Sequence, residues 1–220
     1  MYVALTFDDG YLEHARTAYM LARLGIKATF FIITHLRRFE GKPLLTSRPE
    51  LIERISRLGH EIGSHTCTHP ILTELDSSRL DRELRESKRF LEDLTGVEVL
   101  GLAYPYGIYN AKVIRCATKY YYYARATDIS RLSGSNSGAS FRYTIQSIGV
   151  RSLHDLVSKL LNPVVKSSKT SVFIHKSSLS KAMALVSALK PLNVKFITLK
   201  ELVFMLEEDE AKIRHDDNPR

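Results

Sequence analysis

The chain has 220 residues and a mass of 25.0 kDa, enough for one domain or two small ones, and 44% of its residues are apolar, ample for a sizeable core. No apolar run approaches the ~20 residues that span a bilayer, and two cysteines, Cys67 and Cys116, are too few for a disulfide framework. The net charge of +8 and the pI near 9.4 raise nucleic-acid binding as a possibility. The basic residues, however, interleave with acidic ones: Arg79, Arg82, Arg85, Lys88 and Arg89 alternate with Asp81, Glu83, Glu86 and Glu92. That is a solvated helix face with paired charges, and no specific nucleic-acid partner and no membrane partner are expected. No basic-then-apolar leader opens the sequence, so the cytoplasm is the expected compartment.

In chain order, Tyr2 to Phe7 is a β-rich apolar run that stops at Asp8-Asp9-Gly10. Successive side chains of a strand point to opposite sides, so Asp8 and Asp9 are expected to part, one toward an ion and one toward the water it activates. Capping of the helical pattern from Tyr11 to Leu24 accounts for one aspartate but not two. Gly25 closes that helix. Lys27 to Thr34 reads as the second strand, and His35 to Thr46 as a basic loop lying over the site. Pro49 opens a helix through Leu58.

The third strand, His60 to Gly63, leads into Ser64-His65-Thr66-Cys67-Thr68-His69-Pro70. Pro70 blocks helical continuation. Two histidines four apart at a strand end can offer imidazoles to one ion, and a catalytic site takes about three protein ligands. The third comes from the Asp8-Asp9 pair. Cys67, between the histidines, is expected to turn away.

Asp76 or Ser77 caps a helix through Leu94, and Val99 to Tyr104 is a strand ending at Pro105-Tyr106-Gly107. Asn110 to Lys119 is helical, and Tyr120 to Arg125 is a strand whose four tyrosines should alternate two buried and two exposed. Sheet packing, rather than a sugar-stacking surface, is the expected origin of that row. Ser130 to Ser140 is a Ser- and Gly-rich loop, and Phe141 to Val150 resumes strand character. Helices over Ser152 to Leu161 and Lys181 to Leu189 flank a strand from Ser171 to His175. Lys195 to Leu199 is the last strand, followed by a helix to Glu208 and a polar, frayed tail from Asp209 to Arg220. The alternation predicts an α/β fold in one domain over residues 1–208, with a tail at 209–220. A barrel of seven or eight strand–helix pairs places Asp8, Asp9, His65, Tyr106 and His175 at the carboxyl ends of strands. An open doubly wound sheet is the alternative.

Thr6-Phe7-Asp8-Asp9-Gly10 and Ser64-His65-Thr66-Cys67-Thr68-His69-Pro70 resemble the first two signature motifs of the polysaccharide deacetylases, carbohydrate esterase family four. Ala103-Tyr104-Pro105-Tyr106-Gly107 is similar to the substrate-groove motif of that family, and Val172-Phe173-Ile174-His175 to its last motif. The order matches from about Val3 to about Leu206. The resemblance implies a distorted (β/α) barrel and a metal-dependent hydrolase that removes N-linked acetyl groups from an N-acetylated sugar or related small amide. Asp9, His65 and His69 then hold a divalent metal, with zinc the first choice, and Asp8 is the general base. His175 is the general acid, its alternative a hydrogen-bonded histidine at a strand end. The Tyr106 backbone N–H helps form an oxyanion hole. Where the family carries an arginine that pairs with the catalytic aspartate, this chain has Ala103, and Arg142 is the candidate replacement from another strand, its alternative a surface arginine. The Asp-and-Trp motif of the family is absent, as is any tryptophan. A catalytically silent metal-containing barrel that binds a glycan or a partner protein is the second reading.

Overall fold

The strand on which the sheet closes is β1 (Tyr2–Phe7), buried along almost its whole length. A parallel strand covered on both faces reads as an unbroken apolar run, as Val3-Ala4-Leu5 does here. The computed structural model describes residues 1–127, 141–149, 169–174 and 179–216. Along one edge, β1 pairs from Tyr2 to Phe7 with β9 (Lys169–Ile174). Its other edge is shared: β10 (Lys195–Ile197) takes Tyr2 to Ala4, and β2 (Thr29–Ile32) takes Thr6 and Phe7. From β2 the parallel ladder continues through β5 (Glu61–Ser64), β6 (Gly101–Ala103), β7 (Tyr123–Thr127) and β8 (Ile145–Gly149) back to β9. Seven described strands thus close a ring, and the eighth, β10, pairs with the amino half of β1. This is the distorted seven- or eight-stranded (β/α) barrel expected from the sequence.

Outside the ring stand α1 (His14–Arg23), α2 (Glu50–Arg57), α3 (Ser77–Thr95), α4 (Ala111–Ala117), α5 (Leu179–Leu189) and α6 (Leu199–Asp216). Side chains of β1 alternate between two cores. Val3, Leu5 and Phe7 belong to the outer layer with Ala18 and Leu21 of α1, Ile52 and Ile55 of α2 and Leu80, Leu84 and Leu91 of α3. Ala4 belongs to the interior with Phe31, Ala103, Tyr123 and Ile145, under Leu199, Leu202 and Val203 of α6. The amino end of α6 is fixed at the amino ends of the strands, where Leu199 N–H donates to Thr29 Oγ1 and Lys200 N–H to Glu61 Oε2. The opposite, carboxyl end is left for chemistry.

Local signals set most boundaries. Asp76, the first of the two expected caps, accepts the Arg79 N–H to start α3, and Gly96 ends it at φ 67°. Asn110 caps α4 by accepting the Val113 N–H. Three expectations need correction. The strand placed at Tyr120 begins at Tyr123, because Tyr120 and Tyr121 still donate their N–H groups to Ala117 in the turn leaving α4. The basic loop over 35–46 contains a hairpin, β3 (Arg38–Phe39) and β4 (Lys42–Pro43). The supposed tail is helical through Asp216, where Glu208 and Lys212 have the spacing and orientation that support a helix. The tyrosine row does alternate, with Tyr121 and Tyr123 buried and the other two half-exposed. Its hydroxyls go to Asp81, the Leu84 carbonyl, Glu207 and Glu61, so the row is a set of structural ties. The loop at 130–140 and the helix at 152–161 lie outside the described residues.

Candidate metal centre and its carboxylate pair

β1 ends at Phe7, and Asp8 and Asp9 follow it into the barrel mouth, both buried. What separates the two carboxylates is a turn rather than strand alternation: Asp9 has φ 70°, in the left-handed region that aspartate tolerates. The next residue, Gly10 at φ 73°, continues the turn, and a Cβ there would meet Ile32 at 3.0–3.3 Å.

β5 delivers His65 directly after its carboxyl end, the His65 N–H donating to the Ile32 carbonyl. The loop beyond it is tightly tied. Thr66 and His69 both have positive φ, 70° and 59°, a costly state for a β-branched threonine. Hydrogen bonds hold it there: Thr66 N–H donates to Ser64 Oγ, and His69 N–H to Thr66 Oγ1. Glu83 of α3 then accepts the N–H groups of Cys67 (2.8 Å) and Thr68 (2.9 Å) and the Thr68 hydroxyl (2.7 Å). The sequence places Glu83 among the solvated charges of α3; no local pattern distinguishes it. Cys67 turns away as expected, its sulfur 3.4 Å from the Glu83 carbonyl. Burial and the nearby Glu83 carboxylate push its thiol up to about 12.

The loop brings His65 Nε2 to 3.5 Å and His69 Nε2 to 3.6 Å from Asp9 Oδ1. Ligand atoms of Asp9, His65 and His69 all lie within 4.8 Å of one another, and all three residues are buried. Ligands at about 2.1 Å around one tetrahedral ion stand about 3.4 Å apart, so this spacing fits a single cation. The tautomer fits as well: His65 Nδ1 is 2.8 Å from the Ala103 carbonyl, to which it donates, leaving the Nε2 lone pair toward Asp9. Burial disfavours the charged His65 ring, but Asp9, Asp8 and the Ala103 carbonyl together outweigh it and raise its pKa.

Asp8 faces a different partner. Arg125 of β7, 1% exposed, holds Asp8 through Nη2, 2.5 Å from each carboxylate oxygen, with its guanidinium over the Phe31 ring. Arg142 is not that partner, which corrects the sequence expectation. It is a partly exposed residue whose Nε lies 3.2 Å from Glu207 and whose guanidinium stacks on Tyr122. The reason is register: β6 and β7 pair with Ala103 opposite Arg125, so the cation missing at position 103 comes from the adjacent position of the neighbouring strand. A sequence signal existed, since an arginine inside a buried strand needs a partner.

Tyr106 sits at the mouth in the turn after β6 with φ 58°, 52% exposed, its ring 4.6 Å from that of His69. Gly107, at φ 71°, allows this turn to lie against β7, where a Cβ would come within 2.2 Å of Thr127 Oγ1. His175 lies outside the described residues; β9 is described to Ile174, which pairs with Phe7.

Comparison with known proteins bears on this arrangement. The family described as polysaccharide deacetylase matches residues 1–124, more than half of the chain. The protein belongs to the polysaccharide deacetylase family. This polysaccharide deacetylase family member is 28% identical over 206 residues to an uncharacterized 30.6 kDa protein of Geobacillus stearothermophilus, covering 91% of this chain and 69% of that one. It is 31% identical over 115 residues to a chitooligosaccharide deacetylase of Rhizobium leguminosarum bv. trifolii, covering 51% of this chain and 49% of that one. The chain therefore spans about half the length of that relative. In three dimensions it is similar to a variant of the peptidoglycan deacetylase PdaC from Bacillus subtilis, with a TM-score of 0.70, 18% identity and coverage of 99% and 97%. At that identity the likeness shows the fold.

Proposed function

We propose that the protein is a metal-dependent deacetylase that hydrolyses the N-acetyl group of an N-acetylated glycan. The observation that carries this reading is the adjacency of a three-ligand cluster, Asp9, His65 and His69, to a buried carboxylate with its own cation, Asp8 and Arg125. A structural ion pair has no need of a metal cluster one residue away.

A divalent cation held by Asp9, His65 and His69, zinc first on the donor set, would supply Lewis acidity toward the acetamide carbonyl and a lowered pKa for water. The protein groups do the rest. Asp8 takes the proton of the attacking water, and the Arg125 guanidinium orients its carboxylate. The backbone N–H of Tyr106 stabilises the oxyanion. His175 returns a proton to the departing amine, so one water and one amide give acetate and a free amine. The two cysteines, both unpaired, support the cytoplasm as the compartment.

Acetate release from N-acetylglucosamine oligomers by protein loaded with zinc or cobalt tests the reading. Turnover that disappears on chelation and returns with metal is expected. A protein that holds metal and binds the oligomer without releasing acetate would be the silent barrel instead.

A further inference from the structure

The hairpin of β3 and β4 is not needed to close the barrel, yet it is built into both arms of the metal site. Leu45 N–H donates to the Gly10 carbonyl (2.7 Å) and Leu12 N–H to the Pro43 carbonyl (2.9 Å), immediately after the aspartate pair. His35 N–H donates to the Cys67 carbonyl (2.9 Å), inside the histidine loop. The hairpin has a small core of its own, Tyr11, Ile33 and Leu44, with Leu36 and Phe39 packed against it. It is therefore a fixed wall.

At the inner end of that wall stands Phe39. Its ring centroid is 4.7 Å from that of His69, inclined at 56°, and the ring is only partly buried. With Tyr106 at 4.6 Å, two aromatic rings from separate elements touch one ligand imidazole. Phe39 thus offers an apolar, partly open face beside a site otherwise made of ionisable groups. A pyranose has a polar rim of hydroxyls and an apolar face of C–H bonds, and an aromatic ring is complementary to the latter.

We propose that Phe39 is a specificity-determining residue that stacks on a pyranose ring of an N-acetylated glycan and so selects cyclic sugar acetamides over small acyclic ones. This rests on the deacetylase reading above for its substrate class, though not for its test, which reads binding.

Zinc-loaded wild type, Phe39→Leu and Phe39→Tyr are titrated calorimetrically with the β-linked pentamer of N-acetylglucosamine and, separately, with acetohydroxamic acid, which engages a metal but carries no sugar ring. Leucine keeps the apolar bulk beside His69 and removes the flat face. Phe39→Leu is expected to weaken pentamer binding about 10-fold, with Phe39→Tyr within about two-fold of wild type. Metal content and acetohydroxamate affinity should not change, and in turnover the loss should fall on KM rather than kcat. Equal pentamer affinity in wild type and Phe39→Leu overturns the proposal. So does an equal loss of both ligands, which would make the ring a shield for His69, and so does a wild type that does not bind the pentamer. Pentamer binding without acetate release would sink the hydrolase reading alone, leaving the affinity ratio to decide the role of Phe39.

Discussion

Arg125 and Asp8 form a buried pair across the barrel mouth, the guanidinium of one 2.5 Å from both carboxylate oxygens of the other. Removing one partner of such a pair leaves an uncompensated charge and costs about 3–5 kcal/mol of stability. Arg125→Met should therefore lower thermal stability and reduce kcat about 100-fold, in the range of general-base catalysis. Arg142→Ala, which breaks the contacts with Glu207, Tyr122 and Tyr143, should leave kcat in place. Paired kcat measurements decide the matter; normal turnover in folded Arg125→Met would remove Arg125 from the mechanism.

The adjacent aspartates should separate on metal analysis. His65→Ala and Asp9→Asn are expected to lose bound metal, because each removes or weakens one of three donors. Asp8→Asn should retain full stoichiometry while losing turnover. Equal metal loss in Asp8→Asn and Asp9→Asn, read by elemental analysis of dialysed protein, would show that the two share the ion.

Glu83 should matter to the metal without touching it. Its carboxylate accepts three hydrogen bonds from Cys67 and Thr68, and so holds a loop with Thr66 and His69 at positive φ. Partners that orient ligands in this way are typically worth about 10- to 100-fold in metal affinity. Competition with a chelator should show that weakening in Glu83→Ala but not in Glu86→Ala, whose carboxylate pairs with Arg85. Equal affinities in the two variants would reduce Glu83 to one more solvated helix charge.

His14 should set part of the acid stability. Its ring is fully buried against Phe7 and Tyr11, neither nitrogen has a hydrogen-bond partner among the described residues, and desolvation lowers its pKa to about 4 despite the Asp9 charge. The folded pKa lies below the unfolded value of about 6.5, so the unfolded chain binds the extra proton first. The stabilising contribution is full above pH ~6.5 and is lost as pH falls toward ~4, on the order of 3 kcal/mol in all. Urea unfolding of metal-free protein should show His14→Phe gaining on wild type by about that amount between pH 7.5 and pH 4.5. A constant difference across that range would mean that His14 does not titrate with unfolding.

The sequence by itself determined an α/β fold with the Asp-Asp-Gly and His-x-x-x-His blocks at strand ends, because the alternation of buried strands and amphipathic helices allows few other solutions; the pairing of β9 with β1 decided a closed barrel over an open sheet. It also marked a candidate ligand set, since only a few residue types coordinate a divalent cation and those present were grouped. Tertiary structure alone decided which charges meet. Ala103 and Arg125 are 22 positions apart along the chain and opposite each other in the sheet. Register between parallel strands depends on packing around the whole ring, which no local pattern encodes, and so the sequence reading settles on Arg142 and passes over Arg125. Glu83 and Phe39 were hidden for the same reason. A glutamate on a charged helix and a phenylalanine in a basic loop carry no mark of their partners until Cys67, Thr68 and His69 are folded against them.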